Sequence, residues 1–265
     1  MSAAIKLSSP ATREFWEIPV LFEDEHLLAL DKPAGLPTSP DRDNLQRPNL
    51  IKLLHTAIAD GKPWARERGL AYLMHAHRPD LETSGVILLA KNKPALIALA
   101  NLFGSEKPAR KYVALAQGAS NEDRFEIDAK LAPHPAKPGS MCVDPINGKK
   151  SKTRFEVLEK FAGWTLLQCE PLTARSHQIR VHLRQAGLAL AGDELYGGKP
   201  LWLSRLKPGY RLKPGHVERP LLAHATLHAE TLSLPHPVTG ATVTITAPWP
   251  KDLKVALKYL RQFGK

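Results

Sequence analysis

The run Val86-Ile87-Leu88-Leu89-Ala90 carries no polar side chain and follows directly on Thr83-Ser84-Gly85. A short apolar run entered through a Gly-containing turn reads as a buried strand, and such a strand needs layers of structure over it. Its entrance is charged: His77-Arg78-Pro79-Asp80-Leu81-Glu82 sets the Arg78 guanidinium and the Asp80 carboxylate just ahead of the apolar run. Pro79 fixes its own φ and biases Arg78 away from helix, so this segment is turn-like. Charge at the mouth of a buried strand is costly unless paired. Two readings stand at this point, a structural ion pair and a functional site.

The remaining pattern mixes strands and helices at irregular spacing, which predicts an α+β fold rather than a regular βαβ sheet. Val20–Phe22 and Leu27–Leu30 flank Glu23-Asp24-Glu25-His26 as a hairpin. Asn49–Ala59 has helical spacing at Ile51, Leu54 and Ile58, and Pro94–Phe103 reads as a helix with Pro in its first turn and Gly104 just past its end. Strands are expected over 112–116, 153–158 and 164–169. Ser176–Ala186 reads as a helix stopping at Gly187, with Ile179, Leu183 and Ala186 toward the core and His177, Arg180 and Arg184 on the polar side.

The chain of 265 residues holds 37 Lys+Arg against 26 Asp+Glu, a net charge of +11 with His neutral. That excess suits a polyanionic partner: RNA, DNA or an anionic membrane surface. Cys142 and Cys169 are the only cysteines, which argues against a disulfide scaffold or a cysteine zinc site. The first ten residues have no apolar leader core and no run of 18 apolar residues occurs, so a cytoplasmic protein without a membrane span is expected. His75 with His77, or His224 with His228, would suit a metal-dependent hydrolase, but neither pair has a clear carboxylate partner in sequence. The plainer expectation is strand histidines with satisfied ring nitrogens, and no metal.

Three further segments carry chemistry. In Arg175-Ser176-His177-Gln178-Ile179-Arg180 a cation meets a helix start, and Arg180 lies one turn in, able to reach a carboxylate. Arg110-Lys111-Tyr112 brings a basic pair to an aromatic residue at a strand start, where the ring could stack on a base. Arg205-Leu206-Lys207-Pro208-Gly209-Tyr210 is followed at once by Arg211-Leu212-Lys213-Pro214-Gly215-His216. Two six-residue copies cannot make a solenoid. They read as a surface loop whose four cations either follow a phosphate backbone or are simply solvated.

In order and spacing these segments resemble the RluA-type family of RNA pseudouridine synthases. His77–Gly85 is similar to that family's His-Arg-Leu-Asp and Thr-Ser-Gly, Lys111-Tyr112 to its Lys-Tyr strand, and Ala174–His182 to its Gly-Arg-Thr-His-Gln-Ile-Arg-Val-His helix. Asp31–Gly35, Gly192-Asp193, Tyr196-Gly197 and the stretch from Leu227 to Pro237 also fit, so the resemblance covers about residues 18 to 255. It implies a mixed, largely antiparallel central sheet flanked by helices, with a central basic cleft. It implies conversion of uridine to pseudouridine in tRNA or rRNA without cofactor or metal, by a monomer with no obligatory protein partner. Asp80 resembles the catalytic aspartate, whether it attacks ribose C1′, base C6 or drives a glycal. Arg180 resembles the arginine paired with it, and Tyr112 the tyrosine that stacks on the uracil and assists proton removal from C5. Arg78 resembles the arginine that helps extrude the nucleotide, since the glycosidic bond cannot be reached inside a stack. Lys111, Arg175, His177, Arg205, Lys207, Arg211 and Lys213 are the expected RNA contacts. The expected domains are an N-terminal extension over 1–17, a catalytic domain over 18–255 and a C-terminal tail over 256–265, with no separate S4 domain. Pro79 replaces the usual Leu and Ala174 the usual Gly; both leave the candidate catalytic groups in place, so tuning rather than loss of function is expected. A non-catalytic RNA-binding or RNA-chaperone protein on the same fold is the alternative, one that would not require Asp80 or Arg180.

Overall fold

The computed structural model describes residues 4–40, 44 and 46–264. In chain order its elements are β1 (Ala4–Ser9), β2 (Glu14–Glu23), β3 (Leu27–Lys32), α1 (Leu50–Ala59), α2 (Pro63–Glu67), β4 (Met74–His75), β5 (Ser84–Ala90) and α3 (Lys93–Gly104). There follow β6 (Ala109–Gln117), β7 (Arg124–Asp128), β8 (Leu131–Pro133), β9 (Met141–Val143), β10 (Lys152–Phe161), β11 (Trp164–Pro171) and α4 (Gln178–Gln185). After a 3₁₀ turn at Glu194–Tyr196 come α5 (Leu203–Leu206), β12 (Leu227–Pro235), β13 (Thr242–Thr246) and α6 (Lys251–Phe263). The fold is α+β, as the irregular mixture of elements predicts, and its strand pairing is largely antiparallel, as the family resemblance implies. The chain forms two compact units, Met1–Arg110 with Ala229–Pro248, and Lys111–His228 with Trp249–Lys265.

In the first unit the strands run in the order β1-β2-β3-β5-β12, with β13 on β12 and β4 on β5. The predicted hairpin is β2–β3, pairing Val20 with Leu30. Its turn is fixed by Asp24, whose Oδ1 accepts the amides of His26 and Leu27, both at 2.7 Å. All seven residues of β5 are buried. Gly85, the second residue of that strand, has φ +100°, and a Cβ there would collide with the Ala229 backbone on β12, so only glycine lets the two strands approach. Asn49 caps α1 by accepting from Lys52 N–H at 3.0 Å, and Asn92 caps α3 by accepting from Ala95 N–H at 2.9 Å. Gly104 is the last residue of α3 rather than the first beyond it.

Residues 1–17, expected as an extension, contribute a core strand from Ala4 onward: Ile5 and Leu7 of β1 are buried with Ile18 of β2 against α1. Residues 1–3 lie outside the described residues. Similarly, most of the expected 256–265 tail is the body of α6, where Ala256, Leu257 and Leu260 are buried against Val113 and Leu115 of β6.

In the second unit the strand order is β6-β11-β10-β7, all antiparallel, and β8 pairs with β9 separately. α4 is shorter than the sequence pattern suggests, and six of its eight residues are buried. Arg180 lies inside rather than on a polar face, while Ala186, expected in the core, is exposed. The amphipathic reading holds for buried Ile179 and Leu183 and for exposed Arg184, and fails at Arg180, because Gln178, Arg180 and His182 have protein partners. Gln178 Nε2 donates to Lys152 O and to Thr153 Oγ1, and its Oε1 accepts from Thr173 Oγ1 and the Arg175 amide. His182 Nδ1 bonds Thr153 Oγ1 at 2.9 Å. Satisfied in this way, polar groups can be buried at little net cost.

Candidate active site

The Asp80 loop of the first unit is tied down from both sides. The Asp80 carbonyl accepts from Thr83 N–H at 3.1 Å, closing a turn immediately before β5. The next carbonyl, of Leu81, accepts from Gly35 N–H at 3.0 Å and from Lys32 Nζ at 3.3 Å. Lys32 ends β3 and is fully buried. Its Nζ also donates to Pro33 O at 2.9 Å and Leu36 O at 3.0 Å, so all three ammonium hydrogens meet carbonyls. Burial pushes the Lys32 pKa from 10.5 down to about 7, and the Asp80 carboxylate opposes that shift. Asp80 itself is half-buried, and Arg78 is exposed. The loop therefore presents a carboxylate at a position set by β3, the 33–36 turn and β5 together.

The histidines beside this loop are held by protein partners. His77 Nε2 accepts the Leu88 amide at 3.1 Å, its ring stacks on Phe103 at 4.9 Å, and burial pushes its pKa down to about 3. His75 shares a 2.9 Å bond with Ser39 Oγ and is also shifted down, by burial first and then by the Arg78 charge. Among the described residues, no group of three or more His, Cys, Asp or Glu side chains is disposed to hold a metal ion.

In the second unit Arg180 makes a bidentate pair with Asp193: Nε to Oδ2 and Nη2 to Oδ1, both at 2.8 Å. The Arg180 side chain is 8% exposed and that of Asp193 1%. The Tyr196 ring lies under the guanidinium, 4.9 Å from centroid to Cζ. Tyr196 Oη shares a 2.7 Å bond with His177 Nδ1 and accepts the Met141 amide at 2.8 Å. His177 caps α4 in the left-handed region, φ 54°. A non-glycine residue there costs roughly 1–2 kcal/mol, offset by its Tyr196 bond and by anchoring of the helix start through Gln178. Tyr112 sits in β6 opposite Cys169 of β11, partly buried against the core cluster that includes Ile179 and Leu183 of α4.

A model of the family described as RNA pseudouridylate synthase matches residues 26–185. The chain belongs to this family. It is 36% identical over 92% of its length to "Ribosomal large subunit pseudouridine synthase D" of Nitrosomonas europaea, of which it spans 65%. It is 35% identical over 91% of its length to "Ribosomal large subunit pseudouridine synthase C" of Salmonella typhi, spanning 70% of that protein. The solved structure titled "Human RNA Pseudouridylate Synthase Domain Containing 4" shares the fold, with a TM-score of 0.67 at 22% identity over 91% of this chain and 92% of that one.

The pseudouridylate synthase fold divides the expected site residues between the units. Asp80 and Arg78 belong to the first, with Lys32; Tyr112, Lys111, Arg175, His177 and Arg180 belong to the second. Lys111 is exposed, and Arg175 Nε donates to Lys150 O at 3.1 Å. Arg205, Lys207, Arg211 and Lys213 all lie exposed on α5 and the irregular stretch after it. Two residues with structural claims on the site escaped the sequence reading. Lys32 was visible only as part of a Lys-Pro-Ala-Gly turn, and Asp193 only as an acidic residue after Gly192. Among the described residues no helix is long and apolar enough to cross a membrane.

Proposed function

We propose that this protein isomerises uridine to pseudouridine in structured RNA, with Asp80 as the catalytic carboxylate. The N1–C1′ bond of a flipped-out nucleotide breaks, the base turns, C5 bonds to C1′, the C5 proton leaves and N1 takes up a proton. No electrons are gained or lost overall, so no redox cofactor is needed. In this reading Asp80 acts on the detaching uridine, Tyr112 stacks on the uracil and assists removal of the C5 proton, and Arg180 orients the carboxylate. Arg78 fills the space that the extruded nucleotide leaves. Lys111, Arg175, His177 and the cations at 205, 207, 211 and 213 contact the RNA.

The observation that carries this reading is the anchoring of the Asp80 loop by the buried Lys32 ammonium. A merely structural surface carboxylate has no need of a buried cation holding the adjoining peptide. The bidentate Asp193–Arg180 pair and the Tyr196 ring give similar support to Arg180, since a guanidinium locked in one rotamer is pre-organised to hold a partner. The relatives are named for the large ribosomal subunit, which makes large-subunit rRNA the first substrate to test and tRNA the second. The test is to map pseudouridines in unmodified rRNA and tRNA transcripts before and after incubation with the protein. One or more new sites are expected, and none in either RNA would overturn the proposal.

A further inference from the structure

Between β7 and β10 the second unit extends an arm whose chemistry the proposed mechanism does not use. Residues 129–151 contain four lysines (130, 137, 149 and 150) and a single carboxylate, Asp144. Its tip is built rather than loose. Asp144 Oδ1 accepts the amides of Ile146 and Asn147, both at 2.9 Å, and its carbonyl accepts from Gly148 N–H at 3.0 Å. These bonds hold the Asp144 carboxyl below the usual range, so its charge stays committed to the turn. Gly148 has no room for a Cβ beside the Asp144 carbonyl, which fixes the return of the chain. At the tip Ile146 is 83% exposed, between Pro145 and the exposed Lys149 and Lys150.

The arm is joined rigidly to the residues around Arg180. Leu131 and Lys149 exchange backbone bonds of 2.9 and 2.8 Å, and buried Leu131 packs with Val181 of α4 and with Tyr196. The Met141 amide of β9 donates to Tyr196 Oη, whose ring underlies the Arg180 guanidinium. Lys150 O receives Arg175 Nε. The tip is thus held at a set position relative to Arg180.

An exposed isoleucine by itself means little. An isoleucine held on a closed turn, flanked by cations and tied to a candidate catalytic guanidinium, suits a polyanion with apolar faces between its charges. We infer that residues 130–150 form an RNA-contacting arm in which Lys149 and Lys150 meet phosphates and Ile146 packs against a nucleobase near the target. Aliphatic wedges are used in this way where a protein opens a stack, and a pre-organised loop loses little freedom on binding. This inference rests on the RNA-isomerase reading above.

Its test uses the full chain with large-subunit rRNA and tRNA transcripts, measuring RNA affinity against salt together with turnover. The Lys149→Gln/Lys150→Gln protein should weaken binding and reduce the slope of log K against log salt by about 1.4 to 1.8, or 0.7 to 0.9 per lost contact. Ile146→Ser should weaken binding about threefold to tenfold at an unchanged slope and raise KM without lowering kcat. All three side chains are exposed, so the variants should fold, and their melting curves should match the parent. Wild-type affinity and slope in both variants would overturn the arm while leaving the isomerase reading intact. A parent that binds RNA through the arm yet forms no pseudouridine would overturn the isomerase reading alone. A parent that binds neither RNA would overturn both.

Discussion

Replacing Asp193 with Asn should impair the enzyme without touching Asp80. Arg180 and Asp193 are nearly dry and share two charge-assisted bonds of 2.8 Å. Asn keeps the shape and one acceptor but turns an NH2 group toward a guanidinium that has only donors. Removing one charge of a buried pair leaves the other uncompensated and costs about 3–5 kcal/mol. At roughly 2–4 °C per kcal/mol for a chain of this size, the melting temperature should fall by at least about 6 °C. At 25 °C, below that transition, turnover measured by tritium release from C5-labelled RNA should drop on the order of a hundredfold, the usual consequence of misplacing an orienting group. RNA affinity should change little. The double variant Arg180→Met/Asp193→Leu removes both charges and should recover much of the lost melting temperature, while its turnover stays lost. A wild-type melting temperature and wild-type turnover in Asp193→Asn would refute the reasoning.

Lys32→Met should change how stability depends on pH. The unfolded chain keeps the Lys32 proton up to about 10.5, whereas the folded chain releases it near 7. Between those values the unfolded state binds more protons, so this group makes the protein more stable as pH rises. Urea midpoints of the parent should rise relative to those of Lys32→Met from pH 7 to pH 10; parallel curves would contradict it. Tyr112→Phe keeps the stacking face and should lose less turnover than Tyr112→Ala, with the reverse order excluding a stacking role. Neutralising Arg205, Lys207, Arg211 and Lys213 together should flatten the salt dependence of RNA binding, and an unchanged slope would make that loop a solvated insertion.

What the sequence revealed was local. The spacing of Ile51, Leu54 and Ile58, Pro94 in a first turn and the apolar β5 each announce themselves within a few residues, so the two helices and the buried strand could be placed in advance, whereas the Asn49 and Asn92 caps appear only in the structure. α4 misled because helical periodicity assumes a solvent face, whereas Gln178, Arg180 and His182 are buried by partners on β10, at Asp193 and at Ala129. For the N-terminal strand a signal was present, since Ile5 and Leu7 alternate with Lys6 and Ser8. Lys32 gave no such signal. Its burial follows from three carbonyls, one of them 49 residues away, converging on a single ammonium. Asp80, Tyr112 and Arg180 were legible as candidates through family resemblance, but the supports of Asp80 and Arg180 became visible only in three dimensions.

Asp80 remains the centre of the account, and one variant addresses it directly. Asp80→Asn preserves size and removes the carboxylate, so RNA binding and turnover can be compared in the same preparation. Near-parental affinity for the substrate transcript is expected, with no tritium released and no pseudouridine formed. Pseudouridine formation by Asp80→Asn at a rate near that of the parent would contradict this expectation.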